Sequence, residues 1–433
     1  MKSYYTLLFA LSIILINPWG NSRGEIWTHP KVLIVLIVLL LNLALLTARP
    51  RTPLPRRWLT GAVLWLLFLG CGWISTCLSP FPSFSLLGQE QMGDGWLYWL
   101  LIAGFTLTNS LLLYRYPELL RPQLNGLLIG SAILALSIFP QVINWQIDYT
   151  ATMGQLLRDN ILVSTIYQAH QPIGLYSNRG HAAFVLAAAI ALTLVTQQRH
   201  WLTNRQAIPL LILLSTALLL TQNRAGILAA AVGCVYLLGR QRAKWWLTVA
   251  LLALIIISFH TVNSRLTADW SWWRQLSSDR TYAWQLAVRG IQQRPFWGWG
   301  FGGFGIAYPY VLSPTWTPQV EHLGNFSFVH RRETGELARL TIYSFKAHNL
   351  FLDTAVSLGL VGLLVSWGLW SWYGWRLYRS ARVYFAGIAI VYLVFTLTWF
   401  ECAQYSHLAW WVLSLSEWDS GTSDQLLAAD SRG

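Results

Sequence analysis

KAHNLFLDTAVSLGLVGLLVSWGLWSWY, residues 346–373, is the stretch that decides how the chain is built. From residue 350 onward it is long and apolar enough to cross a bilayer. Its first four residues, Lys346-Ala347-His348-Asn349, stand at the mouth of that helix. Immediately upstream lies a polar, basic insert, 260–349, in a chain otherwise written for lipid. A water-facing insert that delivers a histidine to a membrane surface needs a reason, and the residue types point to catalysis.

Working outward, the whole composition agrees with the helix. Of 433 residues, 55% are hydrophobic and only 11% charged, with a mean hydropathy of +0.44. These values exclude an ordinary soluble domain and predict an all-α, polytopic integral membrane protein. About twelve apolar runs read as membrane helices, near 4–17, 31–48, 59–79, 96–113, 124–144, 181–197, 207–222, 225–239, 245–260, 350–373, 383–401 and 406–416. The first, eighth and last are short. The organisation expected is nine helices over 1–259, a large loop over 260–349, three helices over 350–416 and a polar tail over 417–433.

Orientation follows from arginine and lysine in alternate short loops. Arg49, Arg51, Arg56 and Arg57 form the first cluster, followed by Arg115 with Arg121 and Arg199 with Arg205. Arg240, Arg242 and Lys244, then Arg376, Arg379 and Arg382, complete the set. Helix counting puts all of these on the cytoplasmic face and sends the 145–180 loop and the 260–349 insert to the outside. The opening run lacks a small-x-small cleavage site and reads as a retained helix. These loops also account for most of the net charge of +13, which therefore implies no nucleic-acid partner. Cys71, Cys77, Cys234 and Cys402 lie in apolar runs without metal or redox spacing and read as buried small hydrophobes. Many of the 26 tryptophans stand near helix ends, as an interfacial belt does.

Three features of the outer face stand apart from belts and topology signals. Gln222-Asn223-Arg224-Ala225-Gly226 places an arginine where two apolar runs need only a tight turn. A cation flanked by hydrocarbon marks a site or a partner, or else it snorkels to the headgroups. Asp279-Arg280-Thr281-Tyr282-Ala283-Trp284 begins a helical pattern that Pro295 ends, and a Gly/Trp turn, 296–305, follows. Arg280 is a candidate phosphate ligand or a surface charge. His348-Asn349, nine residues on Gly359, and two more on Gly362 form the third feature, with the glycines suited to close helix packing. An imidazole at a membrane mouth can take a proton at neutral pH.

This set, with Arg280-x3-Trp284 and Arg294-Pro295-x2-Gly298-x-Gly300, resembles the O-antigen ligase and O-antigen polymerase superfamily. The motif-level resemblance runs from about Ser177 to Gly362. It implies a GT-C-type architecture with a large periplasmic loop, in the bacterial inner membrane. It also implies an inverting, metal-independent glycosyltransferase with no cofactor and an undecaprenyl-pyrophosphate-linked glycan as donor. Carried over by matching motif, Arg224 and Arg280 would hold the pyrophosphate and His348 would activate the acceptor hydroxyl. Asn349 beside it, and Asn178, Arg179 and His181 at another helix entry, are candidate substrate contacts; Arg179 and His181 could equally cap and snorkel. Lys346 would add positive potential. No D-x-D, the usual divalent-metal motif of metal-dependent relatives, occurs in the chain.

The acceptor stays open between a lipid, a growing glycan and a protein hydroxyl, that is, between ligase, polymerase and protein O-glycosyltransferase. A more distant alternative is an anion (inorganic carbon) transporter. Against it, no matched pair of interrupted helices appears in the two halves.

Overall fold

The computed structural model describes residues 1–48, 54–142, 172–239, 280–313, 315–316, 318–380 and 382–417. The expected span at 245–260, the 145–180 loop up to 171, the insert up to 279 and the tail from 418 lie outside the described residues.

Helices dominate. They are α1 Lys2–Ile14, α2 His29–Thr47, α3 Arg56–Cys77, α4 Pro82–Leu87, α5 Trp96–Arg115, α6 Leu120–Val142 and α7 Arg179–Gln198. Then come α8 Asn204–Leu220, α9 Arg224–Gly239, α10 Arg280–Gln293, α11 Gly303–Val311, α12 Leu350–Arg379, α13 Ala386–Thr398 and α14 Ser406–Ser414. Local signals start several of them. Pro30 lies in the first turn of α2, where its missing N–H is not needed. Thr203 and Gln206 form a capping box on α8. Asn178 caps α7 and Asn349 caps α12.

Among the described residues, six helices are long and apolar enough to cross a membrane: Gly24–Thr47, Arg56–Cys77, Trp96–Arg115, Pro117–Val142, Arg179–Gln198 and Leu350–Arg379. Four more apolar helices are shorter. α14, at the expected last span, has only nine residues, and so reaches about 14 Å against the ~30 Å of a hydrocarbon core. It is wholly enclosed in the bundle instead, with the Trp410 ring 4.5 Å from Trp65 and 5.0 Å from Trp370. The outward faces of the long helices carry Leu33, Leu40, Leu66, Leu364 and Trp367 in the open, a surface that suits lipid and not water. Cys71 and Cys77 share this outward surface of α3, half-buried and exposed, so only Cys234 and Cys402 are interior as expected.

The fold is not purely helical. Strands β1 Gln319–Gly324, β2 Ser327–Arg331 and β3 Leu337–Thr341 form a three-stranded antiparallel sheet in order β1-β2-β3 within the insert. The register pairs Gly324 with Ser327 and Phe328 with Leu340. Tight turns at Asn325-Phe326 and at Gly335 (φ +86) close the hairpins. The short alternating runs around these turns are a strand signal, weak beside the surrounding helices. The buried Phe328 joins Trp299, Phe304, Ile342 and Phe345 in a small apolar core that also takes in Val356 of α12.

That core is anchored at a break in α12. Gly359 has φ +68 and ψ −175, a conformation open to glycine alone. The segment Pro295–Gly300 docks into the break through Trp299 N–H to the Val356 carbonyl (2.9 Å), Gly300 N–H to the Ser357 carbonyl (2.8 Å) and Leu360 N–H to the Pro295 carbonyl (2.7 Å). Gly359 thus serves a backbone junction between insert and membrane helix, where simple helix packing was expected. Around it, α3 packs on α12, α9 between α7 and α13, and α10 and α11 on α12.

Candidate functional site at the mouth of α12

Asn349 closes the insert and opens α12. Its Oδ1 accepts from the N–H groups of Phe351 and Leu352 at 3.1 and 3.2 Å, satisfying two of the donors a helix start leaves free. Its Nδ2 donates to the Leu397 carbonyl at 3.2 Å. Both ends of the amide are therefore occupied, so Asn349 ties α12 to the end of α13. His348, just before it, has φ +56, uncommon for any residue but glycine.

The imidazole of His348 packs edge-on against Trp399 and Phe400, with centroids 5.4 and 4.8 Å away. Both rings come from the loop between α13 and α14. Its Nδ1 is enclosed and, among the described residues, has no hydrogen-bond partner, so rings and no described carboxylate orient this histidine. Burial, and then the positive charge of Arg280, hold its pKa down to about 3. It is neutral at physiological pH.

Arg280 lies on one of these rings, with Arg224 within electrostatic reach of it and Arg179 within reach of Arg224. Arg280 is the first residue of α10, and its guanidinium lies over the Trp399 ring at 5.3 Å. Arg224 is the first residue of α9, after a turn in which Gln222 has φ +52 and Asn223 Oδ1 accepts from the Gly226 N–H at 2.8 Å. One nitrogen of Arg224, Nη1, is enclosed without a partner. Burial and then the charge of Arg224 hold Arg280 below the ordinary arginine range. Arg179, at the start of α7, also lies within the reach of the Arg224 charge. The close fit of that helix end to the site is set by Gly180, where an added Cβ would lie 2.5 Å from the Trp399 ring. Among the described residues no carboxylate pairs with Arg179, Arg224 or Arg280. Clustered guanidinium groups without counter-ions make an anion site, and their planar forks match phosphate oxygens.

The other candidates are placed differently. Asn178 Oδ1 accepts from the Gly180 N–H at 2.8 Å and so caps α7. His181 is wholly buried, with Nδ1 3.4 Å from Ser177 Oγ and 3.3 Å from Gln404 Oε1. Its ring backs Phe400 at 5.3 Å, behind the face that meets His348. Lys346 is buried and ion-paired with Asp94 from the loop before α5, so its charge is not directed at the arginine cluster. Arg294 donates to the Leu78 carbonyl at 2.8 Å and lies 4.4 Å over Trp299, which makes it a fastener of the insert.

Sequence reasoning did not single out Trp399, Phe400, Asp94 or Asp353. Trp399 and Phe400 fall at the end of an apolar run and read as interfacial belt. Asp94 lies far along the chain from Lys346, and nothing local announces the pair.

Residues 209–367 match the family model described as O-antigen ligase. The matched segment contains Arg224, Arg280, His348 and α12 as far as residue 367, its break at Gly359 included; it starts beyond Asn178, Arg179 and His181. No curated protein matches the chain.

Proposed function

We propose, from the O-antigen ligase segment as premise, that this membrane protein transfers a glycan from undecaprenyl pyrophosphate to an acceptor hydroxyl at the outer face of the bacterial inner membrane, with inversion and without a metal ion. The observation that carries the proposal is one neutral histidine and one arginine against the Trp399 ring, with Arg224 and Arg179 within electrostatic reach and none of the three guanidinium groups paired with a described carboxylate.

In the step proposed, the acceptor oxygen forms a bond to the anomeric carbon as the bond from that carbon to the pyrophosphate oxygen breaks. The electron pair leaves with undecaprenyl pyrophosphate, whose developing charge Arg224 and Arg280 meet, with Arg179 beside them. The hydroxyl proton passes to His348 through Nε2, since Nδ1 is the enclosed nitrogen. Fixed cations aimed at a leaving group contribute most when water is excluded, and the aromatic walls provide that exclusion.

Purified protein incubated with a polyprenyl-pyrophosphate glycan and a panel of lipid, glycan and protein acceptors should yield a product identified by its mass. His348→Ala should insert and fold normally while transfer drops roughly 10²- to 10⁴-fold, the usual span for loss of a general base. Transfer at the wild-type rate by that variant would remove His348 from the mechanism.

A further inference from the structure

We propose that Asp353 is a positioning residue for His348, holding the strap Ser344–Ala347 so that the imidazole is presented in its left-handed conformation; the proposal rests on His348 being the base. Asp353 lies in the first turn of α12 and is buried. A carboxylate there ordinarily serves the helix N-terminus, but Asn349 already performs the capping. The Asp353 carboxylate instead turns back out of the helix, and its Oδ1 accepts from the Ala347 N–H at 2.7 Å. That amide belongs to the residue directly before His348.

The rest of the strap is fixed on the same side. Ser344 Oγ donates to the Lys346 carbonyl at 2.6 Å and accepts from the Lys346 N–H at 3.2 Å. The Lys346 ammonium is paired with Asp94. Burial pulls that ammonium down, but Asp94 and then Asp353 more than offset it, and it stays charged. Asp353 and Lys346 attract each other by charge beside Ala347, and among the described residues the second Asp353 oxygen has no hydrogen-bond partner. A buried ionic group of this kind is weak evidence for stability as such. Its geometric result is specific: the backbone is held before His348 by Asp353 and after it by the Asn349 cap, with the imidazole edge-on to the stacked Trp399 and Phe400 rings.

The test uses the full-length protein and reads kcat, KM for the donor and the acid limb of the kcat–pH profile. Displacing a catalytic group by about 1 Å costs on the order of 10²-fold. Asp353→Ala should therefore lower kcat about 10- to 100-fold, with little change in KM. Its acid limb should move up toward the ordinary imidazole value of about 6.5 as the ring leaves its apolar contacts. Arg280 of α10 and His181 of α7, the charged or titratable groups that bear on His348, are untouched by the substitution. Asp353→Asn keeps an acceptor oxygen at the same reach and should restore kcat and the limb. Asp353→Glu keeps the charge but moves the acceptor by a methylene, and should fold while resembling Asp353→Ala; it decides the matter if the alanine variant does not fold. Wild-type kcat and limb in Asp353→Glu, or an Asp353→Asn variant as impaired as Asp353→Ala, would overturn the proposal. If His348→Ala itself retains transfer, the base assignment fails; if it is inactive while all three Asp353 variants are normal, only the present inference fails.

Discussion

His348 is a weak base by placement. Charging its imidazole is opposed first by burial and then by Arg280, so in the free protein it stays neutral down to about pH 3. On the proposed mechanism a pyrophosphate bound on Arg280 would change the second cause: negative charge beside the ring favours the imidazolium and raises the pKa. If His348 is the base, activity needs the neutral ring and falls as pH drops through that pKa. The kcat/KM profile reports the free protein and kcat the donor complex, so the acid limb of kcat should lie at the higher pH. Profiles from about pH 2 to 8 check this; a kcat limb at or below that of kcat/KM would show that the donor does not neutralise Arg280. The chemical identity of this residue was legible in the sequence, because His-Asn at a helix mouth is local. The two rings that enclose it were not, since Trp399 and Phe400 reach it from the loop after α13, far along the chain.

At the scale of elements, the junction of the insert with α12 holds the site together. Pro295–Gly300 hydrogen-bonds into the break at Gly359, and a Cβ on Gly359 would overlap the Phe296 carbonyl. Gly359→Ala must both strain its backbone and expel this segment, and should cost at least ~2 kcal/mol, seen as a lower unfolding temperature in detergent with activity reduced. At Gly368, on the same helix, an added Cβ would meet no atom within 4 Å, so Gly368→Ala is the matched control and should be neutral. Equal stability of the two variants would mean that the docked break contributes nothing to the fold. The sequence announced these glycines by spacing but not their use: helix packing and a helix break ask for the same residue. The sheet was hidden for a related reason, since runs of five or six residues such as Ser327–Arg331 are too short to outweigh the helical context.

Across the whole molecule, charge is sorted around the Trp399-Phe400 loop. Among the described residues, Arg179, Arg224 and Arg280 form no ion pair, while Lys346 is paired with Asp94 and further held by the charge of Asp353. The apolar spans and the two motif arginines could be read from the chain because hydropathy and a lone cation in hydrocarbon are local signals. The sorting could not, because it depends on contacts such as Asp94 with Lys346 across the fold. It has a mechanistic consequence. An anion entering this site meets guanidinium groups that no described carboxylate neutralises, so the cations can do for the leaving group what a divalent ion does elsewhere. Arg224→Ala and Arg280→Ala should each lower kcat/KM roughly 10²-fold. Lysine at either position should recover only part of this, since an ammonium lacks the bidentate fork. Transfer by the wild-type protein should be unchanged in EDTA. Activity lost on chelation and regained with Mg²⁺, or full activity in both alanine variants, would mean that the charge on the leaving group is met by something other than these arginines.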